Sequence, residues 1–237
     1  KGFFFFFLAE REAGRLKKLG MDVWIRKVDA FSTLGFVKDP IYSFMVDYPP
    51  FSLAELIIHE QTHTTIFLPN QIEFNESLAQ FVGTQGALSY IEERFGEDSE
   101  YYRKVLAYRK DRKTFSQLMN RLYREVEVLY DLPVKKRPYS KEELFVSYSS
   151  YFQEDYERYF ITDAYRGFVP PVNNAWLSAF KVYNRREEVF ISLYSALDGD
   201  LKELMKQILE HEGEMRKTKD PFGCLETLLD SSSGRIE

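Results

Sequence analysis

The stretch that most constrains this chain runs from Leu56 to His63, where two histidines stand four residues apart with Glu60 between them. Residues four apart on an α-helix lie on one face, so His59 and His63 can offer ring nitrogens to one metal ion. Glu60 lies about one turn from His63, where its carboxylate can reach a water on that metal without being a ligand. The pattern indicates a zinc site, which in a catalytic role uses three protein ligands and one open position.

Glu76 is the candidate third ligand, because it follows His63 by thirteen positions and lies on the next predicted helix, residues 74–95. Ala79 and Gly83 share a face with Glu76, and such small residues let two helices approach closely. The alternative is a core helix whose histidines hydrogen-bond to the backbone. That alternative has to bury imidazoles and carboxylates together without a cation, which is costly.

Helix signals recur along the chain. Ser52 and Glu55 have the spacing of a capping box, which predicts that the metal-binding helix begins just before Leu53. Further helices are predicted at residues 10–19, 74–95, 99–130, 140–160, from 175 onward, and at 201–214. Gly20 and Gly96 are expected to end the first two, Ser140 with Glu143 to open the fourth, and Asn173 with Asn174 to cap the fifth. The fifth helix is predicted to carry an apolar stripe of Trp176, Phe180, Tyr183 and Phe190.

Two extended segments precede the metal-binding helix. Residues 23–28 alternate and residues 31–37 are rich in β-formers, so both are predicted strands of a small N-terminal sheet. A glycine inside the second segment allows another backbone to approach, and in a peptidase that backbone can be the substrate. A glycine at a sheet corner is the equal alternative. The candidate substrate-binding residues are Ser32, Thr33, Leu34 and Gly35.

Composition and charge limit the classes of partner and the structural features that this chain can have. The 237 residues carry a net charge of −5 without a long basic stripe, which argues against nucleic acid. The single cysteine excludes an internal disulfide. The apolar residues 3–9 are too few to cross a bilayer, which takes about 20 residues in a helix, and no cleavage site follows them. The chain does not start with Met, which suggests that an upstream part is missing; a signal or a membrane anchor in that part is left open.

The predicted fold class is α+β and predominantly helical, in one domain that spans residues 1–237. A long helical hairpin is the main elaboration. Four consecutive regions are expected: a small sheet region at 1–50, zinc-binding helices at 51–96, the helical hairpin at 97–166 and C-terminal helices at 167–237.

Three stretches together resemble the bacterial family of putative aminopeptidases. They are residues 30–36 before the motif, residues 74–79 after it, and residues 173–177 late in the chain. That family is similar to the gluzincins, so the resemblance implies a zincin-like core and one zinc ion per chain. It implies His59, His63 and Glu76 as ligands and Glu60 as the general base. It also implies the bacterial envelope or periplasm, with the cytoplasm as the open alternative.

The chain departs from the gluzincin pattern at one position. Many gluzincins have an acidic residue four positions after the glutamate ligand, where it orients a zinc histidine, but here that position is Gln80. Its side-chain carbonyl can still accept an imidazole N–H. Asn75 is expected to support the ligands with Gln80. The signature that binds a free amino terminus in gluzincin aminopeptidases is absent, so the resemblance favours a metallopeptidase more strongly than an aminopeptidase.

The predicted function is hydrolysis of peptides by a zinc-activated water. Tyr183 is the candidate that stabilises the oxyanion, with Tyr165 and His211 as weaker ones, and packing is the competing role for all three. The rival prediction is a zinc-binding domain without turnover, in which the hairpin at residues 99–160 binds a protein partner. The sequence gives neither the substrate nor the oligomeric state.

Overall fold

The structure is a computed structural model that describes residues 2–26, 42–183 and 186–233, with the backbone alone at 179, 181–183 and 230–233. These residues form eleven α-helices and three short 3₁₀ helices, and no strand occurs among them. The α-helices are α1 (Phe6–Lys18), α2 (Pro50–Thr65), α3 (Ile72–Phe95), α4 (Glu100–Asp131), α5 (Lys141–Tyr148), α6 (Tyr156–Tyr159), α7 (Asn174–Tyr183), α8 (Glu187–Ala196), α9 (Leu201–Glu210), α10 (Glu212–Met215) and α11 (Pro221–Ser233). The 3₁₀ helices are Ser43–Asp47, Val134–Lys136 and Ser149–Phe152.

The predicted N-terminal sheet stays a prediction. Residues 23–26 of the first predicted strand form neither helix nor strand. The end of that strand and all of the second, residues 31–37, lie outside the described residues. The zincin-like core, which includes such a sheet, therefore stays a prediction too.

Contacts divide the chain into two compact units. The first unit contains residues 1–28 and 103–181, and the second contains residues 29–102 and 182–237. Each unit therefore joins segments that are distant in sequence, which the four consecutive predicted regions did not anticipate. The predicted zinc-binding helices fall in the second unit and most of the predicted hairpin falls in the first.

The first unit has an aromatic core and a buried polar clamp. Asp111 of α4 is 0% exposed, and its carboxylate accepts hydrogen bonds from the backbone N–H groups of Ile161 and Thr162 at 2.8 and 2.7 Å. The Thr162 hydroxyl donates a third at 2.6 Å, so the buried charge is well solvated by donors. The fully buried rings of this core include Phe145, Phe152 and Tyr156.

The two asparagines of the 173–177 stretch anchor helix α7. Asn173 caps the helix, because its Oδ1 accepts from the Trp176 N–H at 2.9 Å while its Nδ2 donates to the Val23 carbonyl at 3.0 Å. The Asn174 N–H donates to the Asp22 carboxylate at 2.8 Å. Within the first unit these bonds tie the segment after α1 to the start of α7, and they confirm the predicted cap.

The second unit is built on the antiparallel pair α2 and α3. One side of the pair packs against the later helices α8, α9 and α11 in a second apolar core. The fully buried side chains of this core include Leu68, Phe74, Leu78, Phe81, Phe190, Leu193, Leu204, Ile208 and Leu225.

The capping box predicted at Ser52 and Glu55 is wrong. Helix α2 begins at Pro50, with Pro49 as its N-cap and no side-chain capping bond, so Ser52 already lies inside the helix. Proline suits the first turn of a helix because its fixed φ matches the helical value. It lacks a backbone N–H, but N–H groups in the first turn have no acceptor within the helix. The capping box at Ser140 and Glu143 is confirmed, with both of its hydrogen bonds present.

Three predicted helices are shorter than expected. The helix predicted over residues 140–160 ends at Tyr148, and a 3₁₀ helix, a turn and α6 follow. The helix from residue 175 ends at Tyr183, so Phe190 belongs to α8, after Arg186 in a left-handed conformation at φ 58°. The helix predicted over residues 201–214 divides at His211. By contrast, Gly20 and Gly96 follow helices at positive φ, as predicted.

Among the residues that the structure describes, no helix combines the length and the apolar character needed to cross a membrane.

Candidate metal centre

Three ligand-type side chains converge where α2 passes α3. The Nε2 atoms of His59 and His63 are 3.2 Å apart, as expected for two histidines one turn apart on a helix. The Glu76 carboxylate spans both rings, with Oε2 3.6 Å from His59 Nε2 and Oε1 3.7 Å from His63 Nε2. All three side chains are largely buried, at 16%, 11% and 25% exposure in that order.

The spacing of these atoms fits a zinc ion. Nitrogen ligands at about 2.0–2.1 Å from a tetrahedral zinc stand about 3.3 Å from each other. The separations here, 3.2 to 3.7 Å, are close to that value. Two imidazoles and one carboxylate are also a donor set that zinc accepts in catalytic sites. The group formed by His59, His63 and Glu76 could therefore hold a metal ion.

Burial sets the protonation of the second histidine. Burial lowers the pKa of His63, the neighbouring His59 lowers it further, and the Glu76 carboxylate opposes both effects. The net direction favours the neutral ring near neutral pH. A neutral imidazole keeps a nitrogen lone pair, which is the form that binds a metal.

Asn75 fixes the turn that leads into α3. Its Oδ1 accepts from the Leu68 N–H at 2.9 Å, and its Nδ2 donates to the Leu68 carbonyl at 2.8 Å. Both groups are buried, so Asn75 satisfies a pair of backbone atoms that water does not reach. Because Glu76 is the next residue, the same two bonds help to set where its side chain starts.

Gln80 belongs to a polar cluster between α2 and α3. Its Nε2 donates to the Glu55 carboxylate at 3.1 Å and to the Thr84 hydroxyl at 3.0 Å, and that hydroxyl donates to the same carboxylate at 2.6 Å. Glu55 lies one turn before His59 on α2. Among the described residues, the hydrogen bonds of Gln80 run to this cluster, and its predicted bond to a zinc histidine is not one of them.

The predicted close approach of α2 and α3 is confirmed at Gly83. A Cβ atom added there would lie 2.9 Å from the Glu55 carbonyl oxygen and 3.3 Å from the His59 Cβ. Any larger residue would push against the backbone of α2. Glycine at this position therefore lets Glu76, two turns earlier on α3, reach the histidines.

The other predicted site residues are placed only in part. Glu60 lies on α2 between the two histidines, with its side chain partly buried. Tyr183 is the last residue of α7, and its side chain lies outside the description. The candidate substrate-binding residues Ser32, Thr33, Leu34 and Gly35 also lie outside the described residues.

Each of the two weaker oxyanion candidates has a structural role. The Tyr165 ring stacks on Phe115 with centroids 4.3 Å apart, and burial raises the pKa of its hydroxyl. The His211 Nδ1 donates to the Gln207 carbonyl at 2.9 Å at the end of α9. Both contacts favour the packing alternative over a catalytic role.

Glu55 is the residue that sequence reasoning misplaced. Its spacing from Ser52 suggested a helix cap, whereas its carboxylate crosses to Gln80 and Thr84 on α3. One signal could have found this role, because Glu55 lies four positions before His59 and so shares its helix face.

Comparison with known protein families identifies a family to which the chain is similar. A family model described as "Putative aminopeptidase" matches residues 1–220 of the 237. No curated protein and no solved structure matches the chain significantly.

Proposed function

The chain belongs to the family described as "Putative aminopeptidase", and from that premise we propose that it is a zinc-dependent peptidase acting at peptide amino termini. The observation that carries this proposal is the convergence of His59, His63 and Glu76 at 3.2 to 3.7 Å. In the proposal these three residues hold the metal and Glu60 is the general base.

The burial of the group supports a metal. Two imidazoles and a carboxylate lose much of their hydration there, and a divalent cation compensates that loss. The lowered pKa of His63 also favours the lone pair that a metal needs. A hydrogen bond between two neutral rings would fit the 3.2 Å distance as well, so metal analysis is the decisive measurement.

The proposed chemistry divides between the metal and Glu60. A zinc ion held by His59, His63 and Glu76 would bring the pKa of a bound water to about 7 and would polarise the peptide carbonyl. Glu60 accepts the proton as that water attacks the carbonyl, and then delivers it to the leaving amine. The hydrogen bonds of Asn75 and of the cluster around Gln80 keep the three metal ligands at their positions.

Two further roles in the proposal come from the sequence. Tyr183 donates a hydrogen bond to the developing oxyanion. The backbone of residues 32–35 pairs with the peptide as an added strand, so Ser32, Thr33, Leu34 and Gly35 align it.

Metal analysis tests the ligand set. We expect about one zinc ion per chain, lost in His63→Ala and in Glu76→Ala. His211→Ala is the matched control, because the third histidine of the chain lies at the end of α9 and bonds to Gln207. Zinc retained by Glu76→Ala would remove that residue from the ligands.

A second measurement tests the base. Glu60→Gln should keep its zinc and lose peptide hydrolysis by about 10²–10⁴-fold, since the amide cannot accept the proton. Glu93→Gln, an exposed site on α3, should behave as the unchanged protein. Full activity in Glu60→Gln would rule out the proposed mechanism.

A peptide library with free and blocked amino termini tests the site of cleavage. An aminopeptidase cleaves only the free set, whereas an endopeptidase cleaves both. Stoichiometric zinc without hydrolysis of either set would favour the rival function, a zinc-binding domain that acts through a protein partner.

A further inference from the structure

The chain exposes a run of phenylalanines that neither core uses. Residues 3–7, here called the phenylalanine cluster, are five consecutive phenylalanines with exposures between 42% and 90%. Isolated apolar side chains on a surface are ordinary, but a contiguous group of large rings marks an interaction site. The cluster begins just before α1 and includes its first two residues.

Basic residues share the exposed side of α1 with the cluster. Ala13 is buried and Leu8, Ala9 and Leu16 are half-buried, so these residues form the inner face of the helix. Phe7, Arg11, Arg15 and Lys18 follow each other at spacings of four, four and three on the opposite side, and all four are exposed.

The charge of this segment is opposite to that of the whole chain. Residues 1–28 contain seven basic and three acidic residues, a net charge of +4, although the chain carries −5. The remaining residues therefore sum to −9. A negatively charged surface therefore attracts this segment.

We propose that the phenylalanine cluster and the basic side of α1 dock on a bilayer that contains anionic lipids. The rings enter the boundary between head groups and acyl chains, and Arg11, Lys18 and the adjacent exposed Lys17 contact the head-group phosphates. Arg15 contributes less, because it pairs with Glu12 at 2.9 Å. A second copy of the chain fits this surface less well, since two segments of charge +4 would face each other.

Binding of the whole chain to vesicles tests the proposal. Vesicles of phosphatidylcholine with about one third phosphatidylglycerol should bind the protein, and added salt should weaken the binding. Vesicles of phosphatidylcholine alone should bind it more weakly. Absence of binding to the anionic vesicles would overturn the proposal.

Two sets of variants separate the apolar and the charged contributions. Replacing Phe4, Phe5 and Phe7 by Ser should lower partitioning by more than about tenfold. Lys17→Gln with Lys18→Gln should lower binding to the anionic vesicles on the order of 30-fold, at about fivefold per basic residue. Thermal unfolding should not change, because all five side chains are exposed.

Matched changes elsewhere serve as controls. Val128→Ser removes an apolar residue that is 63% exposed on α4, and Lys135→Gln with Lys136→Gln removes two exposed charges from the turn before α5. Both controls should bind vesicles as the unchanged protein does. An equal loss in the controls would refute a specific docking surface. If the protein forms oligomers without lipid, and the phenylalanine variant but not the controls is monomeric, a second copy of the chain occupies this surface and the proposal is wrong.

Discussion

At the scale of single residues, Asn75 shows how one side chain supports a neighbouring candidate ligand. Its amide makes two hydrogen bonds to the backbone of Leu68, and the next residue is Glu76. Sequence reasoning associated Asn75 with the ligands because it adjoins Glu76. It did not identify Leu68 as the partner, because a bidentate bond to a buried turn depends on the path of the chain between the helices.

Asn75→Ala should leave the buried N–H of Leu68 without its partner, while the Leu68 carbonyl keeps only the Gln71 N–H at 3.2 Å. We expect a loss of about 1–3 kcal/mol in the free energy of unfolding, measured by urea denaturation, together with weaker zinc binding. Asn120→Ala is the control, because the described bond of that amide is a long one of 3.5 Å to Ser116. A loss in Asn75→Ala no larger than in the control would contradict this role.

At the scale of elements, the pairing of α2 with α3 determines the geometry of the centre. Gly83 allows the close approach, and the cluster of Glu55, Gln80 and Thr84 holds the two helices in register beside it. Both features lie within three turns of Glu76 on α3. A change in the helix spacing therefore changes the distances between the three candidate ligands.

Gly83→Ala places a Cβ 2.9 Å from the Glu55 carbonyl oxygen, which belongs to the backbone and cannot rotate away. We expect a cost of about 1–3 kcal/mol and weaker zinc binding, measured by denaturation and competition with a chelator. Gly14→Ala on α1 meets no atom within 4 Å, so it should raise stability by about 0.5–1 kcal/mol. A stabilising Gly83→Ala would show that α2 and α3 tolerate wider spacing.

The sequence predicted helix ends best where a local signal acts alone. Gly96, Gly20 and the Ser140 capping box each stand at the predicted boundary, because their effect involves only neighbouring backbone. Prediction was wrong where two local signals competed. For α2, the spacing of Ser52 and Glu55 predicted that the helix begins just before Leu53, whereas it begins at Pro50.

At the scale of the whole molecule, the sequence predicted the proximity of His59, His63 and Glu76 better than the architecture around them. His59 and His63 lie on one helix, so the spacing of four is enough to bring their rings together. Glu55 meets partners 25 and 29 positions away, and that contact requires knowledge of how two helices pack. The division into two units depends on contacts between still more distant segments, which no local pattern encodes.

Stability of the first unit should depend on pH through Asp22. The N–H of Asn174 lowers the pKa of its carboxyl, and Lys141 at 3.1 Å lowers it further. A lowered pKa in the folded state stabilises the fold above the unfolded pKa, about 3.9, and this contribution disappears as pH falls through the folded value. Asp22→Asn should therefore cost up to about 1 kcal/mol at pH 7, because the carboxylate is one third exposed.

Chemical denaturation at several pH values measures this difference. The gap between the unchanged protein and Asp22→Asn should begin to close below about pH 4 and should disappear as pH falls through the folded pKa. Glu93→Gln, a change at an exposed residue of the second unit, should show no such gap. A gap as large at pH 3 as at pH 7 would mean that the carboxylate acts through packing rather than through its charge.

The closeness of the three candidate ligands in the sequence has a consequence for the order in which the protein assembles. Only seventeen positions separate His59 from Glu76, so closing that loop costs little chain entropy. A ribosome has added all three candidate ligands before it reaches residues 187–233, which supply α8, α9 and α11. Phe74 and Phe81 pack in a core with residues of those later helices. When the three candidate ligands have been synthesised, the apolar face of α3 is therefore still exposed.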